Sequence, residues 1–346
     1  MNIQAEIQAA VGAFCIQAVI DTQSGSCTVI VGPNGAGKTT LIHVLAGLIP
    51  LRKGKVVLAG QVVDNPARNI RVPPNHRPIA LQTQPNLLFP HLNVIENVAF
   101  GARCSGLNTR LARQRAEKWL HKVGMADMAN LFPTHLSSGQ AQRVGLARAA
   151  ACQPNILLLD EPLTSLDAET RTNMRHLLTD IKTTRVLITH DPIEIRLLAD
   201  QLLVMEKGEI IQAGTPEEVA ADPRTQWTAK LLDINLLTGT ATGTEVTLNN
   251  GFILTTTTPL TGPVLITFPP TAVTLSTAEP HTSARNTWQA QVARIQPEGD
   301  RVRVILDTPI PCRVWVTLQA VNELRLNTGT RCWAALKASE LTVRNA

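Results

Sequence analysis

Short apolar runs alternating with stretches of helical spacing organise the first two thirds of the chain. Residues 28–31 (Thr-Val-Ile-Val), 155–159 (Asn-Ile-Leu-Leu-Leu), 185–188 (Arg-Val-Leu-Ile) and 201–205 (Gln-Leu-Leu-Val-Met) are of strand length and almost wholly apolar. That is the pattern of strands buried on both faces of a sheet. Residues 41–48, 168–182 and 192–199 carry apolar positions three and four apart, as one face of a helix does. Strand and helix in alternation predict a doubly wound, largely parallel α/β sheet. Residues 3–7 and 14–19 read as short strands, and 55–58 and 61–63 flank Ala59-Gly60 as a hairpin. Residues 78–81 read as a strand that gives way to a loop reaching His91. Residues 93–151 are mostly helical, with a charged face (Arg110, Arg113, Arg115, Glu117, Lys118) set against Leu111, Trp119 and Leu120. Lys207-Gly208 turns into a strand at 209–213, and Thr215-Pro216-Glu217-Glu218 is a capping box that opens a short helix.

The pattern changes near residue 230. Residues 236–280 are rich in Thr, Gly and Pro, with short β-branched runs and no helical spacing, which predicts a second, all-β module. Within it, Val264–Leu275 and Cys332–Val343 share their apolar alternation, a small residue and a threonine near the end. A duplicated small barrel is the reading. The expected organisation is an α/β domain at 1–230 with a helical subdomain at about 86–150, a linker and first β-segment at 231–280, and a barrel at 281–346.

Composition narrows the classes. With 346 residues and 44% hydrophobic side chains the chain can bury more than one core and is not a disordered sequence. A net charge of +5, without a basic run or aromatic interleaving, argues against nucleic acid as a partner. Six scattered cysteines with no C-x-x-C pair argue against a disulfide framework or a zinc site. No apolar stretch is long enough to span a bilayer and the first residues lack signal-peptide order, so any membrane role is expected to come through a partner.

The first chemical signal is Gly32-Pro-Asn-Gly-Ala-Gly-Lys-Thr-Thr40, between the buried run 28–31 and the helical stretch 41–48. Strand, glycine-rich loop and helix are the context of a phosphate-binding loop. The glycines allow backbone N–H groups to turn inward, and the helix N-terminus adds positive dipole. Lys38 offers charge to β- and γ-phosphates of a nucleotide, and Thr39 a hydroxyl to Mg²⁺. The second signal is the buried run 156–159 ending in Asp160-Glu161. Asp160 can hold Mg²⁺ through water, and Glu161 can take a proton from an attacking water. The third is Leu136-Ser137-Ser138-Gly139-Gln140, opening a helix, where hydroxyl, backbone N–H and dipole can cradle another anion; by itself it also reads as an ordinary helix cap.

These motifs stand in the order of the ABC-transporter ATPase family, which the sequence resembles over about residues 1–230. Gln84 before the helical segment, Ser165-Leu166-Asp167 after the carboxylates and His190 after the next strand complete the likeness. The resemblance implies a P-loop NTPase fold of ABC type, ATP and Mg²⁺, and nucleotide contacts from Gly32, Pro33, Asn34, Gly35, Ala36, Gly37, Lys38, Thr39 and Thr40. It implies Mg²⁺ contacts from Thr39, Gln84 and Asp160, with Glu161 as general base and His190 and Gln84 as further catalytic residues. Ser137, Gly139, Gln140 and Asp167 are implied to serve the nucleotide site, Ser137 and Gly139 by reaching the γ-phosphate held by another subunit. One chain carries one of each motif, so a complete site needs two chains head to tail, a homodimer. Two positions depart from the family. Ser138 replaces the usual glycine, and the chain has no tyrosine upstream of the loop, leaving Phe14 as the nearest aromatic for adenine.

Towards the C-terminus, Thr282-Ser283-Ala284-Arg285-Asn286, Gln289–Ile295 and Leu336-Lys337-Ala338-Ser339 resemble the molybdenum-binding barrel module (Mop or TOBE type) that occurs alone and on molybdate-importer ATPases. A tetrahedral dianion wants hydroxyls and cations, here Ser283, Ser339, Arg285 and Lys337, rather than a metal-ligand cluster. The glycine such modules often carry after the asparagine is absent. The resemblance therefore implies an ATPase subunit of a bacterial molybdate importer, with molybdate as the expected ligand of the barrel. Its partners would be a second copy, transmembrane permease subunits and, indirectly, a periplasmic binding protein, at the cytoplasmic face of the inner membrane. An importer ATPase for sulfate, polyamine, ferric ion or sugar, a non-transport ABC protein acting on ribosomes or DNA, and an oxyanion store or sensor are the alternatives.

Overall fold

The structure, a computed structural model, describes residues 2–84 and 87–345. The chain forms two compact units, residues 1–219 and 220–346.

Among the described residues, the first unit is built on one sheet of eleven strands. In chain order these are β1 (Ile3–Val11), β2 (Phe14–Asp21), β3 (Cys27–Val31), β4 (Lys53–Leu58), β5 (Gln61–Asn65), β6 (Ile70–Arg71), β7 (Ile79–Gln82), β8 (Ile156–Asp160), β9 (Thr184–Ile188), β10 (Gln201–Glu206) and β11 (Glu209–Gly214). The helices are α1 (Lys38–Ala46), α2 (Val94–Cys104), α3 (Thr109–Lys122), α4 (Ser138–Ala151), α5 (Ala168–Asp180), α6 (Pro192–Leu198) and α7 (Pro216–Ala221). Across the sheet the order is β6-β5-β4-β1-β2-β11-β10-β3-β9-β8-β7. The block β10-β3-β9-β8-β7 is parallel, and β3, β8 and β9 are buried at every residue. That is why they read as unbroken apolar runs. The block β6-β5-β4-β1-β2 is antiparallel, and β1 alternates buried and exposed positions because one of its faces meets solvent. Ala59 and Gly60 both have positive φ, +51° and +82°, as a two-residue turn of type I′ requires.

The helix behind the phosphate loop is fixed at its far end by a residue its own sequence does not contain. Gly47 closes α1 in the left-handed conformation. The Arg77 guanidinium, wholly buried, donates to the Val44 and Leu45 carbonyls at 3.2 and 2.9 Å and to Asp64 Oδ2 at 2.9 Å. A cation on the last carbonyls of a helix complements its dipole.

The second unit contains α8 (Gln226–Leu231), β12 (Asn235–Leu248), β13 (Ile253–Phe268), β14 (Val273–Ser276), β15 (Asn286–Glu298), β16 (Arg301–Leu306), β17 (Cys312–Thr317), α9 (Leu318–Glu323), β18 (Arg331–Leu336) and β19 (Thr342–Asn345). Two sheets, β12-β13-β19 and β14-β18-β15-β16-β17, enclose one apolar core that includes Phe268, Trp288, Val304 and Leu336. Residues 231–280 fold here as strands of both sheets. The likeness between 264–275 and 332–343 is structural: each is a strand, a 3₁₀ turn (Pro270–Ala272 or Ala338–Glu340) and a second strand. The copies exchange strands in matching register, Val264 with Asn345 and Val273 with Leu336. Asn235 and Asn286, each at the start of the strand that pairs with the first strand of a copy, Asn235 opposite Phe268 and Asn286 opposite Leu336, make the same bonds. Each side-chain amide is buried and pairs with both the N–H and the C=O of one residue, accepting from Arg313 N–H at 2.8 Å and donating to Arg313 C=O at 2.9 Å for Asn235, and likewise with Thr255 at 2.7 and 2.9 Å for Asn286. The second unit is thus a pseudo-twofold duplication.

Arg77→Met is expected to destabilise the first unit by about 3–5 kcal/mol in chemical denaturation, since it strands the buried Asp64 carboxylate. Asn235→Ala and Asn286→Ala are each expected to cost about 1–3 kcal/mol in the transition of the second unit, and by similar amounts, because each orphans the same pair of backbone groups.

Candidate functional site

Parallel register brings the chemical motifs to one edge of the first unit. Ile30 pairs with Ile188, and Ile188 with Asp160, so the segments that follow β3, β9 and β8 leave the sheet side by side at its carboxyl end. That is where open α/β sheets bind ligands. Gln82 pairs with Leu159 on the outer side, which sets Gln84 level with Glu161; Gln84 is exposed.

The phosphate loop has the backbone its sequence implies. Gly35 and Gly37 have φ of +80° and +101°, and Gly37 caps α1 in the left-handed region. A Cβ on Gly37 would lie 2.9 Å from Phe14 Cε1, so the aromatic singled out in the sequence packs against the loop. Lys38 is 7% exposed, and its ammonium donates to the Gly32 and Pro33 carbonyls at 2.7 and 3.0 Å. Burial pulls its pKa below the ordinary lysine value, against the opposing pull of Glu161 and Asp160.

Thr39 Oγ1 donates to Asp160 Oδ2 at 2.8 Å. Burial raises the Asp160 pKa, and the Thr39 hydrogen bond opposes the rise. A hydroxyl beside a carboxylate oxygen is a hard-oxygen donor set that fits Mg²⁺. Among the described residues there is no cluster of three or more His, Cys, Asp or Glu.

Glu161 is held on several sides. Its φ is +47°, a conformation unusual for a non-glycine residue. Its N–H donates to the Ile188 carbonyl at 3.1 Å. One carboxylate oxygen is 2.8 Å from His190 Nε2, and the other accepts from Thr164 Oγ1 at 3.3 Å. The His190 loop is itself tied down on both flanks. Thr189 Oγ1 donates to the buried Glu194 carboxylate at 2.5 Å, and Asp191 caps α6 while pairing with Arg175 at 2.6 Å. Burial raises the Glu194 pKa.

At the start of α4, Ser137 and Gln140 form a capping box, with the Gln140 N–H donating to Ser137 Oγ at 3.2 Å and the Ser137 N–H to Gln140 Oε1 at 2.8 Å. A Cβ on Gly139 would lie 2.8 Å from the Ser165 carbonyl oxygen, so packing alone demands glycine there. The Ser138 side chain is exposed. Asp167 caps α5 by accepting from the Thr170 N–H at 2.9 Å, a bond that lowers its pKa. Among the described residues, Ser137, Gly139, Gln140 and Asp167 form no hydrogen bond with residues 32–40. One chain therefore assembles the loop, Asp160, Glu161 and His190, while the α4 cluster is engaged with its own neighbours. Sequence reasoning missed Thr164 and Gln142, both bonded to Glu161; a glutamine inside a helix of small and apolar residues was the only signal for the second.

In the second unit, Asn286 pairs with Leu336, so Arg285 and Lys337 extend from the same end of the β15–β18 ladder, with Ser339 in the adjoining 3₁₀ turn. Ser283, Arg285, Lys337 and Ser339 are all exposed. The pseudo-equivalent positions at the other end are Ile234, Pro269 and Thr271 for Arg285, Lys337 and Ser339.

The ABC transporter family profile matches residues 17–164, and that of the TOBE domain residues 282–343. The chain is 35% identical over 358 aligned positions to the molybdenum import ATP-binding protein ModC of Mycobacterium tuberculosis, covering 99% of this chain and 97% of that protein. It is 39% identical over 214 positions to the Fe(3+) ions import ATP-binding protein FbpC of Agrobacterium fabrum, covering 61% of this chain and 59% of that protein. Among solved structures, the dimeric structure of MJ0796, a bacterial ABC transporter cassette, aligns with a TM-score of 0.53 at 25% identity, over 62% of this chain and 98% of that one. With its nucleotide motifs gathered at one sheet edge and its likeness to ModC running end to end, the chain belongs to the ABC transporter family as an ATP-binding, ATP-hydrolysing subunit with a C-terminal TOBE domain.

Proposed function

We propose that this chain powers an importer for a tetrahedral oxyanion of the molybdate class, working as a head-to-tail homodimer. The observation that carries the solute is the extent of similarity. Likeness to the molybdenum import protein covers 99% of the chain, including the unit that bears Ser283, Arg285, Lys337 and Ser339, whereas likeness to the Fe(3+) import protein covers 61%.

In this reading the ATP phosphates draw the Lys38 ammonium away from the Gly32 and Pro33 carbonyls and are cradled by residues 32–40. Thr39, Asp160 and Gln84 would hold Mg²⁺, which when bound would neutralise charge on the β- and γ-phosphates. Glu161 accepts a proton from water as that water's oxygen bonds to the γ-phosphorus and the bond to the ADP oxygen breaks. His190, 2.8 Å from the Glu161 carboxylate, orients that base and reaches the γ-phosphate. Ser137 and Gly139 of the partner subunit close the site through the positive N-terminus of α4, alongside Gln140 and Asp167. The helical elements α2–α4 hand the closure to transmembrane permease subunits, fed by a periplasmic binding protein. Among the described residues no helix is long and apolar enough to cross a membrane, which suits a peripheral subunit on the cytoplasmic face of the inner membrane. In the second unit the Arg285 and Lys337 pair has Ile234 and Pro269 as its pseudo-equivalents, and the Arg313 guanidinium at that other end is already bonded to the Lys230 and Ile234 carbonyls, so one oxyanion per chain is the expected stoichiometry.

Lys38→Ala is expected to reduce ATP hydrolysis by about 100-fold or more, because it removes a preorganised charge from the phosphates; uptake driven at the parent rate would overturn the mechanism. Glu161→Gln should bind ATP, hydrolyse it at least about 100-fold more slowly, and elute as an ATP-stabilised dimer in size exclusion. Titration calorimetry with molybdate should saturate near one ion per chain and be lost in Arg285→Ala/Lys337→Ala. Failure of molybdate, tungstate and sulfate alike to bind would leave the second unit without an oxyanion role.

A further inference from the structure

The catalytic edge and helix α4 are joined by one buried side chain. Gln142, in the second turn of α4, is 2% exposed. Its Nε2 donates to the main-chain carbonyl of Glu161 at 2.8 Å, and its Oε1 accepts from the Ser165 N–H at 2.9 Å. Its own main-chain carbonyl accepts from Gln82 Nε2 at 3.3 Å, and Gln82 is the last residue of β7, two before Gln84. A single carboxamide thus bridges the two ends of the turn at residues 161–165, as a β-bridge would, and anchors that turn to α4.

The bond to Glu161 falls where it has most leverage. With φ at +47°, the Glu161 backbone lies outside the regions a non-glycine residue prefers and persists only where its surroundings hold it. The Ile188 carbonyl holds the peptide before it at 3.1 Å, and Gln142 holds the peptide after it. With both peptides fixed, the direction in which the carboxylate leaves the backbone is fixed too. One turn earlier on α4, Gly139 sits so close to the Ser165 carbonyl that no Cβ fits. The helix therefore rides directly on the turn that carries Glu161, and a displacement of α4 pulls on the carboxamide.

We infer that Gln142 is a positioning residue that makes the alignment of Glu161 depend on the seating of α4. The inference rests on the reading of Glu161 as general base. Ser137 and Gly139 begin the same helix, so an α4 seated against a nucleotide on the partner subunit also sets the base of its own chain. The two halves of the dimer would then become competent together, through one hydrogen-bonded amide. Misplacing a general base slows the chemical step without loosening the phosphate loop. The expected signature is a loss in kcat with little change in KM.

The test is a double-mutant cycle in the full-length protein. Gln142→Leu, which keeps the bulk and removes both bonds, should lower kcat for ATP by about 10-fold or more while KM stays within about twofold. In the Glu161→Gln background, where no base remains to be aligned, adding Gln142→Leu should change the residual single-turnover rate by less than about twofold. A kcat at the parent level, or the same fold-loss repeated in the Glu161→Gln background, would overturn the inference. If Gln142→Leu does not fold, Gln142→Asn keeps the amide but draws it back by one methylene, and the same comparison applies. Hydrolysis at the parent rate by Glu161→Gln alone would instead remove the base reading beneath it, so the two failures are distinguishable.

Discussion

No side chain can stand at residue 32. A Cβ there would lie 2.0 Å from the Met205 carbonyl oxygen, and that close approach of β3 to the end of β10 determines where the phosphate loop begins. The turn after β10 then braces the loop from behind, the Gly208 N–H donating to the Ala36 carbonyl at 3.0 Å and the Gly208 carbonyl accepting from the Gln17 N–H at 2.8 Å. A Cβ on Gly208 would in turn meet the Cys15 carbonyl at 2.1 Å. Backbone thus lies against backbone, with no side chain between, from β2 through the 205–208 turn to the loop. Interiors packed this closely transmit position rather than absorb it, which is how Lys38 and Thr39 come to stand beside Asp160 with little freedom.

The parallel half of the first unit was legible because burial on both faces writes itself as apolar runs, and β3, β8, β9 and β10 are found within about a residue of where those runs lie. The glycine loop and the Asp160-Glu161 pair were legible because their chemistry is local in sequence. What the sequence hid depends on partners far away in the chain. Arg77 caps a helix more than thirty residues upstream, Gln142 bonds to a strand end nineteen residues downstream, and neither residue type announces a buried role. The same holds for Asn235 and Asn286, whose partners are 78 and 31 residues away. In residues 236–280 the reading of short strands gave way to two long ones, β12 and β13. Threonine, proline and glycine inside them look like strand ends when pairing is unknown, although a bulge near Gly243 can absorb the irregularity.

The internal likeness in the second unit was legible only as a resemblance between two stretches; the exchange of strands between them was not. Each copy completes a sheet of the other, so neither stretch has a full set of hydrogen bonds within itself. The copies have since parted in chemistry while keeping their hydrogen-bond skeleton. Asn235 and Asn286 make the same bonds, yet Arg285 and Lys337 correspond to Ile234 and Pro269.

The Lys38 ammonium has a further consequence. It does not wait in solvent for a phosphate, nor is it locked to a carboxylate; it rests on two carbonyl oxygens of its own loop. If a nucleotide binds there as proposed, its phosphates would take the place of those two carbonyls as acceptors, and much of the desolvation of the ammonium has already been incurred on folding. A lysine held this way would exchange one set of oxygens for another rather than leave water for the first time, which suits a site that must empty and refill.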